Sequence, residues 1–135
     1  MLQKHKTILL IDDEVSQRRF MRRVLEDAGY TVLEGADYNE ALTIHSQYRG
    51  KIDVVLTDIS LPGQNGYALV KALLDIDPVI NAIFISAPTG AEVCRYQGMA
   101  TNDVHFLEKP FQAADLLRRV RRVLECGGPF LTRTA

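Results

Sequence analysis

Val54-Val55-Leu56-Thr57-Asp58-Ile59-Ser60-Leu61-Pro62-Gly63-Gln64-Asn65-Gly66 decides the reading of this chain. A β-branched and aliphatic run drives into a carboxylate, and a proline with two glycines then turns the chain. Such a run predicts a strand buried on both faces and ending at Asp58. In an open α/β sheet, the carboxyl end of a central strand is where ligands bind. Taken alone, Asp58 reads equally well as a residue that caps its own loop.

Working outward, Thr7-Ile8-Leu9-Leu10-Ile11 is a second continuous apolar run, and it too ends in acid, Asp12-Asp13-Glu14. Residues 15–28 carry helical spacing, with Val15, Met21, Val24, Leu25 and Ala28 available for one face and Gly29 as a stop. Arg18, Arg19, Arg22 and Arg23 lie off that stripe and read first as a solvated face. Residues 31–34 form a short strand. Asp37-Tyr38-Asn39-Glu40 has capping-box form and opens a second helix with Ala41, Leu42, Ile44 and Tyr48 inward. A third helix covers residues 67–76, with Leu69, Val70, Leu73 and Leu74 inward, closed by Asp77-Pro78. Residues 82–86 and 104–107 are the fourth and fifth strands. A short helix over 90–97 and a long loop over 98–103 separate them. The last helix spans 113–125, with Leu116, Leu117, Val120, Val123 and Leu124 in register. Five strands alternating with five helices predict repeated βαβ units, and so a parallel sheet covered on both faces. The periodicity leaves the strand order open.

At 135 residues the chain has the length of one domain with a real core. Sixteen basic and 17 acidic residues leave a net charge of -1, which argues against direct binding of nucleic acid or of a membrane surface. Cys94 and Cys126 lack metal-ligand spacing and suggest reduced thiols, hence a cytoplasmic protein. Residues 1–6 lack the apolar core of a signal peptide, and no apolar run approaches membrane-spanning length. Residues 1–125 are expected to form the domain, and 126–135, opening on Gly127-Gly128-Pro129, a C-terminal tail or the start of a linker.

All strands of a parallel sheet present their carboxyl ends on one rim, which gathers Asp12, Asp13, Asp58, Ser86 and Lys109. Converging carboxylates repel, and a hard divalent cation such as Mg²⁺ relieves that repulsion. Helix capping accounts equally for one of the acids in Asp12-Asp13-Glu14, and both readings can hold together. Lys109 and Ser86 would supply an ammonium and a hydroxyl to cradle phosphoryl oxygens. A carboxylate can itself be the nucleophile that forms an aspartyl-phosphate.

In these motifs the chain resembles a response-regulator receiver domain of two-component signalling, over roughly residues 5–125. The resemblance rests on Ile11-Asp12-Asp13-Glu14, on Asp58 to Gly66 (which fits D-x-x-x-P-x-x-x-G), on Ser86-Ala87 and on Lys109-Pro110-Phe111, in that order on predicted strand ends. It implies a flavodoxin-like (βα)5 doubly wound sheet, order 2-1-3-4-5, in a single domain. It further implies that Asp58 accepts a phosphoryl group from a histidine kinase or histidine phosphotransfer protein in a Mg²⁺-dependent reaction, with Mn²⁺ a possible substitute. Asp13 is then a direct metal ligand, Asp12 its water-mediated neighbour, and the Ser60 backbone carbonyl the third protein ligand. Ser86 is similar to the switch hydroxyl, Phe106 to the aromatic that moves with it, and Lys109 to the lysine that pairs with the phosphate. The Lys109–Pro110 peptide is cis in that family. A downstream effector domain or protein would read the face made by the fourth helix, fifth strand and fifth helix. On this reading the chain is a switch rather than a turnover enzyme.

Two other functions fit parts of the pattern. A receiver-like interaction module that is never phosphorylated commonly lacks one of Asp13, Asp58, Ser86 and Lys109, and all four are present. A phosphohydrolase resembling the haloacid dehalogenase group needs a second acid two residues after its nucleophile, where this chain has Ser60. Pro88, two residues after Ser86, stiffens the switch loop and predicts an atypical fourth helix. Ser60 and Pro88 offer neither acid nor amide to an attacking water, which predicts slow autodephosphorylation. The arginine-rich first helix borders the site and is a candidate kinase-docking face, through Arg18 and Arg22.

Overall fold

The computed structural model describes residues 5–86 and 105–126. The five strands are β1 (Thr7–Ile11), β2 (Thr31–Gly35), β3 (Val54–Asp58), β4 (Asn81–Ser86) and β5 (His105–Glu108). The four helices among the described residues are α1 (Val15–Asp27), α2 (Tyr38–Gln47), α3 (Gly66–Ile76) and α4 (Ala113–Cys126). The fourth helix expected over residues 90–97, and the loop after it, lie outside the described residues. No described helix is long and apolar enough to cross a membrane.

All four strand pairings are parallel, in the order β2-β1-β3-β4-β5. β1 and β3 read as unbroken apolar runs because helices cover both their faces, so neighbouring side chains are buried on opposite sides. Leu9, Ile11, Val55, Ala82 and Phe84 enter a core under α2 and α3. Ile8, Leu10, Val54, Leu56, Ile83 and Ile85 enter a second core under α1 and α4. This is the doubly wound, flavodoxin-like arrangement.

α1 and α2 bury narrower stripes than the periodicity allowed. In α1 only Met21 and Leu25 are fully buried, each stabilising the fold by about 1.5–3 kcal/mol. Val15, expected inward, is 48% exposed at the first helical position. In α2 the expected Tyr48 is exposed at the C-cap, and the buried side chain one turn earlier is His45, whose Nε2 lies 3.4 Å from Asp77 Oδ2. All four residues expected inward in α3 are buried.

Helix ends follow local chemistry. Asp37 Oδ1 accepts from the Glu40 N–H, while Glu40 reaches back to the Ala36 N–H, one residue earlier than a standard capping box. α1 closes in a Schellman motif, in which the Gly29 N–H donates to the Glu26 carbonyl and the Tyr30 N–H to the Leu25 carbonyl. Gly29 takes φ +100° there, a left-handed conformation that a side chain would oppose.

Candidate functional site

The parallel topology brings Asp12, Asp58, Ser86 and Lys109 to one rim, at the carboxyl ends of β1, β3, β4 and β5. Asp58 is the last residue of β3 and is buried. Beyond it the Ile59 N–H continues the ladder to the Ile85 carbonyl, and the Gly66 N–H closes the loop onto the Ile59 carbonyl. α3 starts directly against the strand end, with Asn65 as its N-cap. A Cβ on Gly66 would stand 2.4 Å from the Asp58 backbone oxygen, which explains the glycine closing the D-x-x-x-P-x-x-x-G motif.

Both carboxylate oxygens of Asp58 are engaged. Oδ1 accepts from the Ser60 N–H at 2.8 Å, and Oδ2 from Lys109 Nζ at 2.7 Å. The backbone aims Lys109, because its N–H donates to the Ser86 carbonyl and extends the β4–β5 register past Glu108. The Lys109–Pro110 peptide is cis. Next to it, Phe111 packs near Phe20 of α1, with ring centroids 6.5 Å apart. Burial works to lower the Lys109 pKa, but its hydrogen bond to Asp58 and the charges of Asp58, Asp12 and Asp13 outweigh it and raise the value.

Asp12 is fully buried and Asp13 exposed. The Asp12 Oδ1 accepts from the Glu14 N–H at 2.9 Å, whereas its Oδ2 is buried with no hydrogen-bond partner. Burial pushes the Asp12 pKa up to about 6. The Glu14 hydrogen bond opposes this, and the nearby Asp58 charge adds to it. Glu14, rather than either aspartate, is the N-cap of α1, accepting from the Gln17 N–H. The capping reading therefore accounts for one acid and leaves the aspartate pair to the rim.

A buried, unpartnered carboxylate oxygen beside a second carboxylate fits a hard divalent cation. Among the described residues no three His, Cys, Asp or Glu side chains close into a metal cage. Carboxylates on this rim are hard oxygen donors of the kind that Mg²⁺ takes, usually with waters filling the rest of its shell.

Ser86, the last residue of β4, is buried; Ser60 is exposed on the loop after Asp58. Phe106 of β5 is half-buried against Phe84 at 5.6 Å, and Phe84 packs on Tyr67 of α3 at 4.6 Å. An aromatic row therefore runs from the edge strand to the helix that starts beside Asp58. Pro88 lies outside the described residues.

A profile of the response regulator receiver domain matches residues 8–121. The chain belongs to that family. This receiver domain is 35% identical over 119 residues to the sensor kinase CckA of Brucella abortus (strain 2308), covering 88% of the chain and 12% of that relative. It is 33% identical to the C4-dicarboxylate transport transcriptional regulatory protein DctD of Rhizobium meliloti (strain 1021), covering 88% of the chain and 25% of that relative. The chain thus spans a quarter or less of the length of these two proteins. A response regulator receiver protein from Sinorhizobium medicae WSM419 superposes with a TM-score of 0.80 at 30% identity, covering 92% of this chain and 98% of that one. Receiver domains are signalling domains of two-component systems rather than turnover enzymes.

One arginine of α1 departs from the sequence expectation, while Arg19, Arg22 and Arg23 are exposed as expected. Arg18 is not part of a solvated face. Its side chain is 18% exposed, Nη1 donates to the Asp12 carbonyl at 2.7 Å, and Nε donates to Glu34 Oε1 at 2.8 Å. Arg22 pairs with the other Glu34 oxygen and with Glu26. Burial works to raise the Glu34 pKa, but the Arg18 and Arg22 hydrogen bonds outweigh it and hold the carboxyl below its usual range. Arg18 is therefore committed within the molecule, while Arg19 and Arg23 are exposed. The sequence carries no signal for this role of Glu34, whose partners lie 12 and 16 residues away on another element.

Proposed function

We propose that this receiver domain is a phosphorylation-activated switch whose acceptor is Asp58. The observation that carries the reading is a buried carboxylate at a strand end, paired with an ammonium 2.7 Å away and facing a second buried carboxylate with an open oxygen. An Asp58 oxygen attacks the phosphorus of a phosphohistidine on a histidine kinase or phosphotransfer protein. The P–N bond breaks and its electron pair leaves with the imidazole. Lys109 turns from the carboxylate to the phosphoryl oxygens, and the Ser60 N–H keeps the acceptor oriented. Mg²⁺ (or Mn²⁺), held by Asp13, Asp58 and the Ser60 carbonyl with Asp12 through water, would neutralise charge on the transferring group.

New negative charge on Asp58 draws the Ser86 hydroxyl inward, and Phe106 follows into the space it leaves. The partner face that includes β5 and α4 changes with it. One similar protein is named a sensor kinase and another a transcriptional regulatory protein, and a linker role for residues 126–135 would suit either setting. Both settings suit the cytoplasm, without direct contact to nucleic acid or membrane by residues 1–125.

Incubation with acetyl phosphate and Mg²⁺, followed by intact-mass spectrometry, tests the reading. One phosphoryl adduct is expected on the native chain, and none on Asp58→Asn or with EDTA. Mg²⁺ binding without any adduct, from small donors or from phosphorylated kinases, would instead assign an interaction module that is not phosphorylated.

A further inference from the structure

We infer that Arg18, held by Glu34, is a positioning residue for the acidic pair Asp12-Asp13, and that it sets the affinity of the site for its divalent cation. The inference rests on the proposed function and adds a residue pair that the motif itself does not contain.

The argument starts from what holds Asp12. Its backbone N–H donates to the Gly35 carbonyl of β2 at 3.2 Å, and its Oδ1 accepts from the Glu14 N–H at 2.9 Å. Its backbone carbonyl accepts from Arg18 Nη1 at 2.7 Å. Every polar atom of Asp12 is thus committed except Oδ2, which is buried and unpaired. The peptide that follows is planar, so a fixed Asp12 carbonyl also fixes the nitrogen of Asp13 and the direction in which that residue leaves the strand. One guanidinium therefore governs the backbone of both acids.

The guanidinium is itself immobilised. Its Nε donates to Glu34 Oε1 at 2.8 Å, while Arg22 holds the other Glu34 oxygen. Glu34 stands on β2 opposite Leu10, one residue before the Gly35 whose carbonyl receives Asp12. β2 thus anchors the metal-binding turn twice, once through backbone and once through this fork. Lysine cannot reproduce it, because a single ammonium on a flexible stem lacks the rigid two-sided geometry.

Charge and position predict opposite signs, which makes the inference testable. A cation near a metal site opposes metal binding, so a purely electrostatic Arg18 would make Arg18→Ala bind Mg²⁺ more tightly and Arg18→Lys bind like the native chain. A positioning Arg18 makes both variants bind more weakly. Partners that orient metal ligands typically cost about 10–100-fold in affinity when removed.

Mg²⁺ titration calorimetry on the native chain, Arg18→Ala, Arg18→Lys, Glu34→Ala and the Arg18→Ala/Glu34→Ala pair decides the matter, with each fold checked by circular dichroism. The expected result is Kd raised about tenfold or more in all four, with the double variant no worse than Arg18→Ala. In acetyl-phosphate reactions the Mg²⁺ concentration for half-maximal rate should rise by the same factor, with the rate at saturating Mg²⁺ nearly unchanged. Native-like Mg²⁺ affinity in folded Arg18→Lys and Glu34→Ala would overturn the inference and leave the phosphoacceptor reading standing. A native chain that neither binds Mg²⁺ nor forms an adduct would overturn both. Should Arg18→Ala fail to fold, Arg18→Lys and Glu34→Ala carry the test.

Discussion

Lys109 Nζ sits 2.7 Å from Asp58 Oδ2, an ion pair that links the ends of two strands with β4 between them. It gives the buried carboxylate its counter-charge, and it places that charge where a phosphoryl group would arrive. Lys109→Met keeps the aliphatic stem and removes the ammonium. Phosphorylation from acetyl phosphate should slow by about 100-fold, the scale of losing one transition-state donor. Time-resolved intact mass would measure it, and an unchanged rate would remove Lys109 from the chemistry.

The Asp12 environment makes stability depend on pH. Its folded pKa, about 6, lies above the ordinary 3.8, so the folded chain holds this proton more tightly than the unfolded one. The stabilisation from that proton is full below pH 3.8 and lost as pH rises through 6. In EDTA, Asp12→Asn should therefore be more stable than the native chain at pH 7.5, by on the order of 2 kcal/mol. The difference should shrink toward pH 4. Urea unfolding across that range reads it, and a pH-independent difference would contradict the assignment.

Metal binding should offset the cost of burying these charged carboxylates. At Mg²⁺ concentrations about 100 times Kd, the native chain should gain about 2.7 kcal/mol of unfolding free energy. Asp13→Asn should lose most of that gain while unfolding normally in EDTA. Equal Mg²⁺ stabilisation of both proteins would take Asp13 out of the ligand set.

Gly66 permits α3 to begin against the end of β3. Gly66→Ala places a Cβ 2.4 Å from a backbone oxygen, which cannot rotate away. A loss of about 1–3 kcal/mol is expected, as for overpacking, together with slower phosphorylation of the displaced Asp58. Thermal melting and the adduct assay would show both effects, and a native-like melt would mean that the helix start gives way freely.

Phosphorylated protein should lose its adduct slowly, because Ser60 presents neither an acid nor an amide to an incoming water. Following the adduct mass after removal of the donor, with Mg²⁺ present, tests this. A half-life of only seconds would contradict it.

Much of the fold was legible because its signals are local. The unbroken apolar runs of β1 and β3, the Asp37 cap and the Gly29 stop each depend on residues within a few positions. The errors were local too. Val15 and Tyr48 fit the helical period but stand exposed at a helix start and a C-cap, and periodicity does not say where a neighbouring layer stops. His45 was missed because a polar side chain gives no apolar signal, although Asp77 meets it in the fold.

By itself the sequence determined the βα alternation and, through the parallel arrangement that alternation forces, the gathering of Asp12, Asp13, Asp58, Ser86 and Lys109 on one rim. The order 2-1-3-4-5 entered with the family resemblance, since strand neighbours are chosen by packing and not by any strand's own pattern. Only the tertiary structure decided which acid caps α1, which Asp12 oxygen stays open, and that Arg18 grips the Asp12 carbonyl with Glu34 behind it. Those are contacts between elements brought together by burial of two cores. Hydrogen-bond partners of that kind are set by where backbones meet in space, and a one-dimensional pattern carries no record of that meeting.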